Sequence, residues 1–320
     1  MTISTDFPVR VAEIETVAEG VKRFRFVRPD GAPLPEFSGG AHTVVTMRDG
    51  HRLRRNPYSL MGSPYDGSAY EISVLRTPDS RGGSIYMHDK VSIGDTLTLS
   101  QPVNLFPIDR RGRRHLLLAG GIGITPFIAM AEQLTREDLP FELHYSNRSA
   151  ARGAYIERLK SLYGHRVHTY FDDKAEALPL ERLLGSQPLG THLYVCGPQG
   201  FIDWILSSAR AAGWPDENVH FERFLAPPPG SPFKIELARS KKTITVPSDQ
   251  SMLEAIEAAG VDAPCLCRGG ACGQCETAVV SCDGTIKHND HFLSESDRQS
   301  GKKIMICVSR IEGAGIVLDL

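Results

Sequence analysis

Six of the seven cysteines lie in the last quarter of the chain, and their spacing restricts the fold more than any other feature. Three of them follow the pattern C-x4-C-x2-C, and a fourth comes later in the chain. This spacing is typical of a plant-type [2Fe–2S] site, in which thiolates hold the iron. Intervening glycines let the backbone pass close to the sulfur atoms, with its N–H groups directed at them. We therefore predict a cluster with the metal ligands Cys267, Cys272, Cys275 and Cys307.

Zinc binding and free thiols are the two alternatives for these cysteines. Structural zinc ligands more often form two short-spaced pairs, and no histidine stands at a matching position. Cys265 and Cys282 break the cluster spacing, so we expect small buried residues or oxidation-sensitive thiols there rather than ligands. Disulfides are not expected, because the N-terminal residues lack the apolar stretch of an export signal.

Length and charge narrow the possible classes of protein. The 320 residues predict two or three domains of about 100–200 residues each. The 36 basic and 38 acidic side chains give a net charge of −2, which offers no overall attraction to nucleic acid or to an anionic membrane. No segment approaches the roughly 18 apolar residues of a membrane span. We expect a cytoplasmic protein without a nucleic-acid or membrane partner.

Two changes of pattern divide the chain. Before residue 110, short alternating runs separated by glycine, proline and aspartate predict the strands of an antiparallel β-barrel or sandwich. These runs are 21–27, 42–47, 70–75 and 95–100. From His115 onward, apolar strands alternate with helical segments, which predicts an α/β domain with a parallel sheet. Its predicted elements are strands 116–119, 141–145 and 191–196 and helices 126–134 and 199–212.

A third domain follows the proline-rich segment 226–232, which cannot continue a helix or a central strand and predicts a stiff linker. Ser251 and Glu254 have the spacing of a capping box, so a short helix is expected to begin there and to end before Gly260. The predicted elements are a hairpin of strands 233–237 and 243–246, a helix over 255–259, and late strands over 304–308 and 316–318.

A glycine-rich loop, 120–126, directly follows the first apolar strand of the α/β domain. Its bare backbone at the start of a helix would accept a pyrophosphate, and we predict Thr125 as the N-cap and Pro126 as the first helical residue. The loop lacks the third glycine of the Rossmann fingerprint. The segment 196–198 follows another strand, and strand ends at one edge of a parallel sheet converge on a ligand crevice. The alternative for Cys196 is a plain buried thiol.

Two segments of the first domain form a further candidate site. Tyr58, within 55–59, could lie against an aromatic ring system. Arg81, followed by Gly-Gly-Ser at a predicted helix start, could hold a phosphate monoester. The alternative is that both segments are ordinary turns.

Together, in this order and spacing, the three sets of motifs resemble the phthalate dioxygenase reductase family, the single-chain reductases of Rieske oxygenases. The resemblance covers nearly the whole chain. It implies an FMN-binding β-barrel domain over residues 1–110, an NADH-binding α/β domain over 111–225, a linker over 226–232 and a plant-type [2Fe–2S] ferredoxin domain with a β-grasp fold over 233–320.

The resemblance also implies which residues serve each cofactor. The candidate catalytic residues are Phe224, which would shield the flavin face on which nicotinamide stacks, and Cys196, which would lie near the nicotinamide. Flavin contacts would come from Tyr58 and Ser59, and the flavin phosphate would be held by Arg81, Gly82, Gly83 and Ser84. NADH would be bound by Gly120, Gly121, Gly123, Thr125, Pro126, Gly197 and Pro198.

The sequence departs from the family at one flavin-binding position. The barrel motif of the family is Arg-x-Tyr-Ser, whereas here Asn56 occupies the arginine position and Arg55 comes one residue earlier. Either Arg55 reaches the same phosphate, or Asn56 leaves Arg81 as the main partner of the anion.

The choice of nicotinamide cofactor depends on Asp173. Its carboxylate is suited to a ribose hydroxyl and would repel a 2′-phosphate, which favours NADH over NADPH. Arg148 is the counter-indication, because it could pair with such a phosphate.

The function implied by the resemblance is hydride transfer from NADH to FMN, followed by single-electron transfer through the cluster to an external acceptor. The expected partner is a Rieske-type oxygenase of aromatic compounds, with phthalate as one candidate substrate, in a transient electron-transfer complex. The alternatives are an O- or N-demethylating Rieske monooxygenase, a cytochrome acceptor, a redox sensor, or a zinc-stabilised interaction module. The isolated histidines His115, His168 and His220 are interpreted as strand or surface residues.

Overall fold

The computed structural model describes residues 6–50, 52–78, 80–226 and 228–320. Within these ranges the chain packs into two compact units. The first unit comprises the described residues up to 43, 58–78 and 84–223, and the second comprises those within 44–57, 79–83 and 224–320. The predicted multidomain architecture is confirmed, since an antiparallel sheet, a parallel sheet and a C-terminal mixed sheet follow one another along the chain. The domain boundaries given above stay a prediction.

Among the described residues, the antiparallel sheet has seven strands, and a short helix lies between the fifth and the sixth of them. They are β1 (Phe7–Ala18), β2 (Val21–Val27), β3 (Ala41–Asp49), β4 (Arg52–Ser59), β5 (Tyr70–Leu75), α1 (Gly83–Asp89), β6 (Thr96–Leu99) and β7 (Val103–Asn104). β1 pairs with β2 and β6, and β2 pairs with β5, always antiparallel. Alternate residues such as Val9 and Phe24 are buried in the core. All four predicted strands are confirmed, two of them with the predicted bounds.

The parallel sheet belongs to the first unit and positions the candidate nucleotide site. Its elements are β8 (Arg114–Gly120), α2 (Thr125–Arg136), β9 (Phe141–Asn147), α3 (Ile156–Tyr163), β10 (Val167–Phe171), α4 (Leu180–Gly185), β11 (Thr191–Cys196), α5 (Gln199–Ala211) and β12 (Val219–Glu222). The strand order is β10-β9-β8-β11-β12, and every pair is parallel. The order reverses between β8 and β11, and ligands of open α/β sheets bind outside the carboxyl ends at such a point.

The start of α2 differs from the prediction. Gly121–Ile124 already forms a 3-10 turn, so the N-cap is Ile124, Thr125 is the first helical residue and Pro126 the second. The Thr125 hydroxyl donates to the Ile122 carbonyl at 3.1 Å. The prediction that Thr125 caps the helix is therefore wrong. The glycine loop already forms a helical turn before Thr125, and the Thr125 hydroxyl is hydrogen-bonded to a carbonyl of that turn.

The C-terminal module belongs to the second unit. Its elements are β13 (Phe233–Leu237), β14 (Lys242–Val246), α6 (Met252–Ala258), β15 (Glu276–Lys287), α7 (Glu295–Ser300), β16 (Lys303–Met305) and β17 (Arg310–Leu318), with the strand order β14-β13-β17-β15-β16. The capping box is confirmed, since the Glu254 N–H donates to Ser251 Oγ at 3.1 Å and the Ser251 N–H donates to Glu254 Oε2 at 2.8 Å. The described residues of the linker 226–232 form neither helix nor strand. Pro227 lies outside the described residues.

In the ranges that the structure describes, no helix has the length and apolar character needed to cross a membrane.

Candidate functional site

The four predicted cluster ligands come together in the second unit. Cys267, Cys272 and Cys275 lie on the loop between α6 and β15, and Cys307 lies between β16 and β17. Cys275 Sγ is 3.1 Å from Cys307 Sγ, and the Cys267 and Cys272 thiols are hydrogen-bonded to each other. Cys267 also interacts electrostatically with Cys275 and Cys307. The chain thus presents four sulfur donors, three of them buried, from two segments far apart in sequence.

The protonation of these thiols is uneven. The hydrogen bond from Cys272 lowers the pKa of Cys267 to about 5 and raises that of Cys272, and Cys307 lowers the pKa of Cys275 in the same way. The Gly269 N–H adds a donor 3.4 Å from Cys267 Sγ. Hydrogen bonds to a thiolate favour its charged form, which is the form that binds metal.

Two glycines of the cysteine loop lie where a side chain would be strained. Gly270 and Gly273 have φ values of +72° and +79°. A Cβ atom at Gly270 would lie 2.7 Å from Val308 Cγ2, and one at Gly273 would lie 2.3 Å from the Phe292 ring. The loop is therefore a close-fitting backbone cradle around soft sulfur donors, which suits an iron–sulfur cluster.

The other two cysteines of this region stand apart from the four. Cys265 Sγ accepts a hydrogen bond from Arg268 at 3.4 Å and donates to Glu257 at 3.9 Å. Cys282 lies in β15, where its thiol donates to the Gly284 carbonyl at 3.7 Å. Burial raises the pKa of both thiols, and the hydrogen-bond partners of both lie outside the set of four.

Helix α6 carries two carboxylates that bind arginines: Glu254, which the sequence predicted only as part of the capping box, and Glu257, which it did not single out. Glu257 accepts hydrogen bonds from Arg55 at 2.7 Å and from Arg268 Nη1 at 3.1 Å. Glu254, three residues earlier on the same helix face, forms an ion pair with Arg81. Glu257 therefore joins strand β4 directly to the residue that follows the cluster ligand Cys267.

Neighbouring residues of β4 in the second unit have different contacts. Successive side chains of a strand point to opposite faces, so Arg54 and Asn56 lie on one face of β4 and Arg55 lies on the other. Asn56 Nδ2 lies 2.2 Å from the position that a Gly83 Cβ would take, and the Arg54 guanidinium carbon lies 3.0 Å from that of Gly82. Asn56 and Arg54 border the Gly82–Gly83 loop, whereas Arg55 is bound to Glu257. Arg54 was missed, although strand alternation pairs it with Asn56.

The remaining predicted flavin residues lie in the first unit. Tyr58 and Ser59 end β4, and the buried Ser59 hydroxyl has no hydrogen-bond partner among the described residues. Ser84 lies in the first turn of α1, where its hydroxyl accepts the Thr77 N–H at 3.2 Å. An unsatisfied buried hydroxyl is consistent with a missing polar ligand.

Two glycine-containing segments, which follow β8 and β11 in the first unit, come into close backbone contact at the carboxyl ends of these strands. A Cβ atom at Gly123 would lie 2.3 Å from the Cys196 carbonyl oxygen, and one at Gly197 would lie 3.0 Å from Gly120 Cα. The glycine loop and the segment 196–198 thus approach each other too closely for side chains. The structure brings together these two predicted segments at the switch point of the sheet.

Cys196 and Glu222 are paired in register at the ends of β11 and β12. Complete burial raises the pKa of the Cys196 thiol, which keeps its proton at neutral pH. Burial also raises the pKa of Glu222 to about 8, and its Oε2 atom has no hydrogen-bond partner within the described part of the chain. Glu222 was missed, because nothing in its sequence context distinguishes it from a surface glutamate.

Asp173 lies in the turn 172–174 directly after the carboxyl end of β10, where its N–H donates to the Arg148 carbonyl at 3.0 Å. It is exposed and available to a ligand at that edge. Phe224, the first residue of the last segment of the second unit, is 48% exposed, which leaves much of its ring uncovered by protein.

Comparisons with known proteins agree with this arrangement. Residues 98–219 match the model of the dimethylamine monooxygenase subunit DmmA-like N-terminal domain, and residues 235–312 match that of the 2Fe-2S iron-sulfur cluster binding domain. The chain is 44% identical to the heme-dependent oxidative N-demethylase beta subunit of Ectopseudomonas mendocina, over 99% of this chain and 100% of that protein. It is 41% identical to the carnitine monooxygenase reductase subunit of Acinetobacter baumannii, over 98% of each. The structure of phthalate dioxygenase reductase superposes with a TM-score of 0.89, at 36% identity and 98% coverage of both chains.

The fold and the set of four cysteines define an iron–sulfur oxidoreductase built from an antiparallel-sheet, a parallel-sheet and a ferredoxin domain. The chain belongs to the phthalate dioxygenase reductase family, whose members are the reductase subunits of oxygenase systems.

Gly273→Ala is expected to lower the iron and sulfide content of the purified protein by about twofold or more, because the Cβ would strain a left-handed backbone and meet the Phe292 ring. Gly269→Ala is the matched control, since its Cβ would only lie 3.7 Å from the Cys267 carbonyl oxygen. Iron and sulfide assays on both variants check this. Equal cluster content in the two would contradict the close fit of the loop.

Proposed function

We propose that this protein is an NADH-dependent reductase that passes electrons singly to an oxygenase component. The observation that carries the proposal is the convergence of Cys267, Cys272, Cys275 and Cys307 in a chain that also has paired glycine loops at a parallel-sheet switch point. When bound, FMN supplies the step that converts the electron pair of a hydride from nicotinamide into single electrons for the cluster. The chain supplies binding, orientation and exclusion of water.

FMN is favoured over FAD by the residues around Gly82 and Gly83. Arg54 and Asn56 border this loop, and Arg81 belongs to it, so two guanidinium groups and an amide suit a terminal phosphate monoester. We assign Tyr58 and Ser59 to the flavin ring and ribityl region and Ser84 to the phosphate. In this proposal Arg55 is not a phosphate ligand, because it lies on the face of β4 opposite to the one that Arg54 and Asn56 present to Gly82 and Gly83.

NADH is assigned to the carboxyl edge of the parallel sheet. The glycine loop would hold the pyrophosphate with backbone N–H groups, and the Asp173 carboxylate would bind a ribose hydroxyl and repel a 2′-phosphate. Cys196 and Glu222 hold their protons at pH 7, so neither adds negative charge at the strand ends. The uncovered ring of Phe224 is suited to shielding a flavin face.

The partner is proposed as an oxygenase component reached through a transient complex, because electron-transfer encounters use small interfaces. We rank a demethylating oxygenase ahead of an aromatic-ring dioxygenase. The relative named as an oxidative N-demethylase subunit is 44% identical, whereas phthalate dioxygenase reductase of Burkholderia cepacia is 36% identical. The Rieske character of the partner stays a prediction, since that N-demethylase is named as heme-dependent. A cytoplasmic location is proposed as well, because reduced thiols persist there.

Cys272→Ser is expected to abolish electron transfer to cytochrome c or to a purified oxygenase, because the cluster loses one of its four thiolates. NADH-dependent bleaching of the flavin should continue, since the nucleotide edge lies in the first unit. Stopped-flow absorbance measures both steps. Cys282→Ser, which changes a thiol outside the set of four, should keep both. Loss of flavin reduction in the Cys272 variant would refute separable electron-transfer steps.

Asn56→Ala and Arg81→Ala are each expected to weaken FMN retention about tenfold, because a hydrogen bond to a charged phosphate would be lost. Arg55→Ala is the matched control on the same strand and should retain FMN, since Arg55 lies on the face of β4 that points away from the Gly82–Gly83 loop. The measurement is the flavin released on dilution, followed by fluorescence, with NADH affinity determined in parallel. Loss of FMN from the Arg55 variant alone would reverse the assignment.

A further inference from the structure

Three metal-ligating side chains meet at the amino edge of the parallel sheet, opposite the edge that carries the glycine loops. His192 and His220 are the second residues of β11 and β12, and Asp109 lies in the loop that leads into β8. His192 Nδ1 is 2.9 Å from His220 Nε2 and 3.9 Å from Asp109 Oδ2. One ligand atom from each of the three lies within 4.8 Å of the others. All three residues belong to the first unit.

We propose that Asp109, His192 and His220 form a binding site for a divalent transition-metal ion, separate from the iron–sulfur cluster and independent of the proposed function. Two imidazoles and a carboxylate are ligands that suit ions such as Ni²⁺ and Zn²⁺. Ligand atoms about 2.1 Å from an ion and at a right angle to each other are about 3 Å apart. The spacing of the two histidine nitrogens meets that condition, and a small closing movement of the Asp109 carboxylate completes the set.

The two imidazoles are held close together before any ion arrives. His192 is 3% exposed, the His192 and His220 rings meet edge to edge with their planes within 12° of each other, and the His220 ring stacks on the Tyr194 ring at 4.6 Å. The Asp109 backbone N–H donates to the Tyr194 hydroxyl at 2.7 Å, which fixes the loop against β11. Preorganised ligands bind with less loss of side-chain entropy.

A buried unsatisfied nitrogen beside the three residues supports the proposal. His115 is the register partner of His192 on β8 and is fully buried. Its Nε2 atom faces the Asp109 backbone but makes no hydrogen bond of normal length to any residue that the structure describes. A metal-bound water is the kind of group that satisfies such a nitrogen.

Arg111 is the competing cation. Its side chain binds the Asp109 carboxylate, but it is 72% exposed, so it can turn into solvent when an ion takes its place. The proton of the hydrogen bond between His192 Nδ1 and His220 Nε2 must also leave its position between the two nitrogens. It moves to the other nitrogen of its own ring without net release of a proton, and each ring turns so that its lone pair points at the ion rather than at the other ring.

The test is equilibrium dialysis of Ni²⁺ against the holoprotein with its cluster intact. Ni²⁺ is chosen because imidazole suits it and the cluster thiolates are already occupied. We expect one tight site per chain. His192→Asn, His220→Asn and Asp109→Asn should each weaken it by about tenfold or more, as loss of a ligand requires.

His168→Asn is the matched control, because His168 is an exposed strand histidine stacked on His144 in the same sheet and belongs to no such triad. It should leave Ni²⁺ affinity unchanged. If a histidine variant fails to fold by circular dichroism, the more exposed Asp109→Asn variant decides. The proposal is overturned if the wild-type protein has no Ni²⁺ site tighter than millimolar, or if the folded triad variants bind as tightly as the control.

Discussion

The structure depends on a loop of nearly bare backbone closing around four sulfur atoms. Gly270 and Gly273 give the loop positive φ angles and close contacts that no side chain permits. Cys307 comes from the other end of the module, so the set forms only when β15, β16 and β17 are paired. Glu257 binds both Arg268 in this loop and Arg55 on β4, which links the geometry of the cluster loop to the strand that borders the proposed phosphate site.

The two edges of the parallel sheet carry different chemical groups. At the carboxyl edge, glycines leave backbone uncovered, and desolvation raises the pKa of the Cys196 thiol and of the Glu222 carboxyl group. At the amino edge, histidines at the second position of three adjacent strands gather beside Asp109. A cofactor and an ion could thus occupy opposite edges of one sheet without competing.

The sequence predicts local features better than side-chain partnerships. Strands 21–27, 70–75 and 233–237 have the predicted bounds, because turn residues flank an alternating apolar pattern there. Strand β15 escaped prediction, since most of its residues are exposed and its apolar residues do not alternate regularly. The roles of Arg54, Glu222 and Glu257 could not be predicted, because each depends on residues brought from distant segments. The helix N-cap was assigned wrongly to Thr125 for a local reason, the 3-10 turn before it.

The most direct test of the central claim, that one chain carries electrons from NADH to an iron–sulfur cluster, is the visible spectrum of the purified protein under argon before and after one equivalent of NADH. The account predicts flavin and cluster bands that both lose intensity on addition of NADH. A colourless protein, or bands that NADH leaves unchanged, would contradict it.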